Sequence, residues 1–234
     1  DIKESMVCDF TESKLEFLLE SHIQTEYGDL ICLKPDMSRL TMDMICGEIP
    51  SADNDSIVLA FAGAFTGSTS GKGHINIAGN HVSGGKIYRG YRCKRNTGAF
   101  TWSPLSGPQF FYDDYQSAME KAAREGGMGF AQEMMIHHSK AVKTARKLGN
   151  KNVFRALCLN KENQLALYES LGIVTFGNFI NALLSQSVKE ALYTDMGQGW
   201  NYCFYRVNVD ESSPKYLHDR PLPYASNFVI FKIK

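Results

Sequence analysis

No part of this 234-residue chain is apolar for long enough to cross a bilayer, which takes about 20 residues as a helix. The longest apolar run, "SIVLAFAGAF" at 56–65, is half that, so no membrane insertion is expected. No block of like charge occurs either: Lys plus Arg and Asp plus Glu each total 25. That balance removes the electrostatic basis for a nucleic-acid partner or an anionic membrane surface. The six cysteines (Cys8, Cys32, Cys46, Cys93, Cys158 and Cys203) contain no C-x-x-C, which argues against a zinc knuckle or a thioredoxin-type site. Most lie in apolar, strand-like text, where a free buried thiol is the plain reading. Nothing repeats with a period of about 20–50 residues.

Two apparent motifs also fail on inspection. "GSTSGKG" at 67–73 has three residues before its Gly-Lys where a phosphate-binding loop needs four, and Gly73 stands where Ser or Thr would hold magnesium. A glycine loop is the better reading. In "HHS" at 137–139, adjacent strand histidines would point to opposite faces and could not easily share a metal, and Ser139 lacks the G-x-S-x-G elbow. His137 or His138 remains available to a cleft as a strand-end polar group.

What is present is 44% hydrophobic and 12% aromatic, enough for a substantial core. "TESKLEFLLESHI" (11–23) starts with Thr11 as a cap candidate and spaces Leu15, Phe17, Leu18, Leu19 and Ile23 as an amphipathic helix. Strand text follows in "DLICLK", "LTMDMICGEI" and "SIVLAFAGAF", then a glycine-rich, hairpin-like stretch over 66–112. "DDYQSAMEKAAREG" reads as a helix with Asp at its start and Gly126 behind it. "MGFAQEMMIH" is a buried strand, "KAVKTARKLGN" a basic helix or loop, and "NVFRALCLN" with "QLALYES" a hairpin. "TFGNFINALLSQSV" is a Thr-capped helix that crosses to the strand before Asp195, and "NFVIFKIK" closes the chain. The pattern predicts one α+β domain over 1–234, with residues 1–28 as a helical N-terminal extension. Its core should be a mixed, largely antiparallel β-sheet carrying two or three packed helices.

Polar residues interrupt this apolar text at few places. Gln132 and Glu133 break "MGFAQEMMI", and Arg155 breaks "VFRALCL". Asp195 ends its strand before Gly197 and Gly199, with Trp200 and Asn201 next. If these strands are neighbours, one cleft receives two carboxylates and a guanidinium. A carboxylate pair provides acid and base or nucleophile at a glycosidic bond. Arginine grips phosphate oxygens bidentately, glycine backbone N–H groups approach anions, and Trp200 offers a flat face to a sugar ring. An internal ion pair is the plain alternative for each charged residue.

The order of segments resembles the phosphodiester glycosidase family, to which the uncovering enzyme's catalytic domain belongs, and in particular a Bacteroidetes branch of it. "LAFAGAF" (59–65), "FAQEMMIH" (130–137), "FRALCLN" (154–160), "YTDMGQGWN" (193–201) and "SNFVIF" (226–231) carry the resemblance, which runs from about residue 29 to the end. It implies a secreted or periplasmic hydrolase acting on a carbohydrate or sugar-phosphate substrate. Asp195 and Glu133 would be the catalytic carboxylates and Arg155 the phosphate holder, with Gln132, His137, Gly197, Gly199, Trp200 and Asn201 around the substrate. No cofactor and no metal are expected. The alternative is a non-catalytic glycan-binding protein on the same fold, since Met196, Gln198 and Trp200 replace small residues of the family's glycine-rich loop.

Overall fold

A computed structural model describes residues 15–68, 71–197, 199–208, 210, 213–221, 223 and 226–234. Four strands come first: β1 (Leu18–Ile23), β2 (Leu30–Pro35), β3 (Leu40–Cys46) and β4 (Ile57–Phe61). Next are β5 (His81–Ser83), β6 (Lys86–Tyr88), β7 (Gly98–Ser103) and β8 (Gly107–Tyr112). Helix α1 (Gln116–Arg124) leads into β9 (Met128–Gln132), β10 (Met134–His137), β11 (Lys140–Ala141) and β12 (Lys151–Asn152). Then come β13 (Arg155–Asn160), β14 (Leu165–Ser170) and β15 (Val174–Thr175). Helix α2 (Phe176–Ser185) precedes β16 (Val188–Tyr193), β17 (Cys203–Tyr205), β18 (Lys215–His218) and β19 (Asn227–Ile233).

The strands form three main sheets, ordered β1-β2-β14-β13-β16-β10-β11, β18-β17-β4-β19-β3 and β6-β5-β9-β7-β8. Every pairing between these strands is antiparallel, so the protein is β-rich and only broadly α+β, with two α-helices among the described residues. The largest apolar cluster draws on all three sheets, including Leu33, Phe61, Phe100, Phe130, Leu157 and Phe231. A second cluster packs Phe176, Phe179 and Leu183 of α2 against the outer face of the seven-stranded sheet. No described helix is long and apolar enough to cross a membrane.

Local chemistry explains several elements. The turn between β13 and β14 is closed by Asn160, whose Oδ1 accepts the N–H groups of Glu162 and Gln164. Thr175 caps α2 by accepting the Asn178 N–H at 3.1 Å. β14 and β16 flank β13, both antiparallel to it, so β14-α2-β16 is the expected crossover with one strand inserted. Gly126 ends α1 at φ +70°, a backbone that a Cβ would strain. The start of α1 differs from expectation: Tyr115, not an aspartate, precedes it, and no side chain caps it.

The N-terminal helix is not formed over its described part. Leu18–Ile23 is strand β1, paired residue by residue with β2 from Leu18↔Pro35 to Ile23↔Leu30. Leu19 is half exposed while Leu18 is buried, as a strand alternates and a helical stripe would not. The edge of β2 offers a full ladder of backbone partners, and that outweighs the propensity of a short amphipathic segment. Thr11, its expected cap, lies outside the described residues. Within the expected hairpin-like stretch, His74–Asn76 is a short 3-10 turn.

Candidate functional site

The last residue of β16 and the two that follow it stitch the site together. Tyr193 N–H donates to the Glu133 carbonyl at 2.9 Å, Thr194 N–H to the Arg155 carbonyl at 3.3 Å, and Asp195 N–H to the Gly63 carbonyl at 3.1 Å. Three consecutive residues thus bond three different chain segments. This brings Asp195, Glu133 and Arg155 to one place, where the ends of β4, β9, β13 and β16 meet. The Gln132 amide completes the junction: Nε2 donates to the same Gly63 carbonyl at 3.0 Å, and Oε1 accepts the Glu133 N–H at 2.8 Å. With both ends engaged and no exposure, Gln132 shapes the backbone break between β9 and β10.

Asp195 is buried, and its Oδ1 accepts the Gly197 N–H at 3.1 Å. Burial pushes its carboxyl up to about 6, against the pull of the Gly197 and Thr66 N–H groups and the nearby Arg95 and Arg155 charges. A carboxyl titrating there exchanges a proton near neutral pH. Glu133 is also buried; its Oε2 accepts from Arg95 and from Arg146, each at 3.2 Å, while Oε1 has no partner. Arg146 is enclosed by aromatic rings, its guanidinium 4.4 Å from the Tyr193 centroid and 5.4 Å from that of Phe176. Arg95 lies over Phe65 at 4.5 Å and is 43% exposed at its side chain, so it reaches both the buried carboxylates and solvent.

Arg155 is fully buried. Its Nε donates to Glu169 Oε2 at 2.9 Å and its Nη2 to the Asn201 carbonyl at 2.8 Å, while Nη1 has no partner. Burial raises the Glu169 carboxyl, but Arg155 and His218 outweigh it and hold the group below its ordinary range. Most of the Arg155 fork is therefore spent inside the protein, and the half-exposed cation beside Asp195 is Arg95. Neither Arg95 nor Arg146 stood out in the sequence. Both lie in polar loop text, where an arginine reads as solvated, and only the approach of Glu133 gives them meaning.

Gly197 N–H is occupied by Asp195 itself, and Gly199 has φ +81°. Trp200 is half buried against the Tyr202 and Phe228 cluster, and Gln198 lies outside the described residues. Gly199 and Asn201 line a cavity of about 840 Å³ with Tyr216, His218 and Arg220. A second cleft of about 660 Å³ is lined by Arg89, Tyr91, Arg92, Lys94 and Asn96, and the buried amide atoms of Asn96 have no partner. Tyr91 feels the charges of Asp195 and Arg95, so this basic cleft adjoins the carboxylate centre.

His137 is not brought there. It ends β10 four residues beyond Glu133, about 13 Å along an extended strand, and its Nδ1 contacts Glu190 at 2.8 Å. The two histidines do not point to opposite faces: His138 has φ +49°, which turns the chain out of the strand and stacks the rings at 3.8 Å. With Glu190 they form a group able to hold a metal ion.

No protein-family model matches the chain, and no curated protein matches it in sequence. Its fold does have solved neighbours. The catalytic domain of zebrafish N-acetylglucosamine-1-phosphodiester α-N-acetylglucosaminidase, auto-inhibited by its pro-peptide, superposes with a TM-score of 0.59 at 13% identity, covering 97% of this chain and 85% of that one. A hypothetical protein from Synechocystis gives 0.53 at 10% identity, covering 93% of this chain and 62% of that one. At such identities the likeness is one of fold.

Proposed function

We propose that this protein is a hydrolase cleaving the bond between a sugar and a phosphodiester, with Asp195 as the base and Arg95 as the phosphate contact. The observation that carries this is the junction at the end of β16: a buried carboxyl raised to about 6 beside a second carboxylate and a half-exposed guanidinium. The fold neighbour named for an N-acetylglucosamine phosphodiester agrees with that chemistry.

Breaking the sugar C1–O bond releases a phosphomonoester, whose second ionisation lies near pH 6. Such a leaving group departs without a strong general acid. It needs its growing charge met by a cation, which Arg95 supplies. The remaining task is to activate water or attack C1, and a carboxylate with a raised pKa is the more basic for it. Glu133 Oε1, buried without a donor, is the free oxygen of the second carboxylate, and its Oε2 holds Arg95 in place. Arg155 adds positive potential and fixes the Asn201 backbone. The basic cleft at Arg89, Arg92 and Lys94 takes the anionic remainder of the substrate, and the cavity at Gly199 and Asn201, with Trp200 beside them, takes the sugar.

The test uses methyl diesters of α-linked sugar 1-phosphates, with reducing sugar and methyl phosphate measured separately. The expected result is equimolar release of both, reduced by about 10²–10⁴-fold in Asp195→Asn. Release of methanol with intact sugar phosphate would refute the choice of bond. The 840 Å³ cavity supports a second reading, a glycan-binding protein, because that volume suits a sugar unit and Asp195 is not among its lining residues. Glycan retention without turnover, unchanged in Asp195→Asn, would favour it.

A further inference from the structure

Away from the carboxylate junction, three residues from distant parts of the chain converge. Cys46 ends β3, His81 begins β5, and His74 opens the short turn after Gly73. Each can present one ligating atom so that all three lie within 4.8 Å of one another. We propose that Cys46, His74 and His81 form a zinc site.

The hydrogen bonds around His81 already give it the form of a ligand. Its Nδ1 lies 3.0 Å from the Gly79 carbonyl, which can only accept, so Nδ1 carries the proton and Nε2 keeps its lone pair. A carbonyl behind a histidine, fixing its tautomer and ring orientation, is the usual support of a metal-bound imidazole. The Nε2 lone pair faces His74 Nδ1 at 2.8 Å. The His74 ring is oriented in turn by Tyr88, stacked on it at 3.5 Å and 5°. A tetrahedral ion with Zn–N bonds of about 2.0–2.1 Å holds its two nitrogens about 3.3 Å apart. Seating zinc therefore requires the rings to part by about half an ångström and the thiol to close in. His81 is fully buried and Cys46 belongs to a seven-residue strand pair with β19, whereas His74 is only partly buried on a three-residue turn and is the ligand best placed to adjust.

The donor set selects the metal. One thiolate and two imidazoles suit zinc, and calcium and magnesium prefer oxygen. Three side chains occupy three corners of a tetrahedron, and water or a solute takes the fourth. The spacing of 28 residues from Cys46 to His74, with the third ligand seven further on, matches no compact zinc motif, which is why the sequence does not announce it. Zinc here would tie the end of β3 to the glycine loop. Asn76, two residues past His74, already holds that loop: it accepts the Ser68 N–H and donates to the carbonyls of Ser68 and Gly71.

The experiment is cobalt substitution on the full chain after removal of metal by a chelator. The expected result is one equivalent of cobalt with a thiolate-to-metal charge-transfer band, displaced by one equivalent of zinc. The band should vanish in Cys46→Ser and weaken in His74→Gln, a change at a partly exposed position that spares the fold. It should persist in Cys93→Ser and in Glu190→Gln, which disables the His137–His138–Glu190 group. Circular dichroism confirms that each variant is folded. A wild type without the band, a band that survives in Cys46→Ser, or one lost in Glu190→Gln would overturn the assignment.

Discussion

Replacing Asp195 by asparagine should stabilise the protein at neutral pH and do so progressively less as the pH falls. The carboxyl ionises at about 6 when folded, against a value of 3.8 when exposed, chiefly because burial penalises the charge. A carboxyl raised on folding contributes stability that is complete below pH 3.8 and is lost as the pH rises through about 6. At about 1.4 kcal/mol per pH unit, the loss amounts to about 3 kcal/mol. Asparagine is neutral throughout and escapes it. Its NH₂ cannot accept the N–H bonds that the carboxylate takes, at a constant cost of about 1–3 kcal/mol. The absolute change is therefore less informative than its slope. The stability of Asp195→Asn relative to wild type should rise by about 3 kcal/mol between pH 3.5 and pH 8, equivalent to about 6–12 °C in relative melting temperature for a chain of this length. Other groups titrate alike in both proteins and cancel. Urea unfolding across that range decides it. Parallel curves would mean that Asp195 is not held out of water as described, and the argument for its basicity would fail with them.

Other outcomes follow from the same geometry. On the proposed mechanism, in which the ionised form of Asp195 is the base, the rate of diester cleavage should rise with pH through about 6 and then level off; a rate falling through that range would make it an acid. Arg155→Met should cost about 3–5 kcal/mol in urea unfolding by leaving the buried Glu169 with only His218 opposite it, and adding Glu169→Leu should restore part of it. Arg95→Ala should cost under about 1 kcal/mol of stability because the side chain is half exposed, while KM for the diester rises. A Cβ on Gly197 would lie 2.6 Å from the Trp200 ring, so Gly197→Ala should be damaging alone and much milder beside Trp200→Ala, with the coupling read from a double-mutant cycle.

How much of this was legible in the sequence depended on where the deciding forces act. The β13–β14 hairpin, the cap of α2 and the crossover to β16 rest on near neighbours: Asn160 closing its own turn, Thr175 bonding three residues on, and apolar runs of strand length. β1 rests on a partner strand that begins seven residues past its own end, and no local signal reveals that this edge needs covering. Leu15 and Leu19, counted toward a helical stripe, are both about half exposed. The break of the buried strand at Glu133 was equally hidden, because it depends on the Gln132 amide reaching a carbonyl 69 residues away.

The site divides along the same line. Asp195, Glu133 and Arg155 were legible because a charged residue inside apolar strand text must find a partner or a purpose. Their partners were not, since Arg95 and Arg146 acquire roles only from the carboxylate that folding carries to them. Arg155 drew notice as a cation in a strand, but burial that deep requires its fork to be satisfied from within, and Glu169 and the Asn201 carbonyl do so. A cation that meets substrate must keep one face in water. Among the arginines around Glu133 and Asp195, Arg95 is the one that does, held by Glu133 on one side and open to solvent on the other. On the proposed function, the phosphate contact is therefore Arg95, a residue that the hydrophobic pattern could not mark.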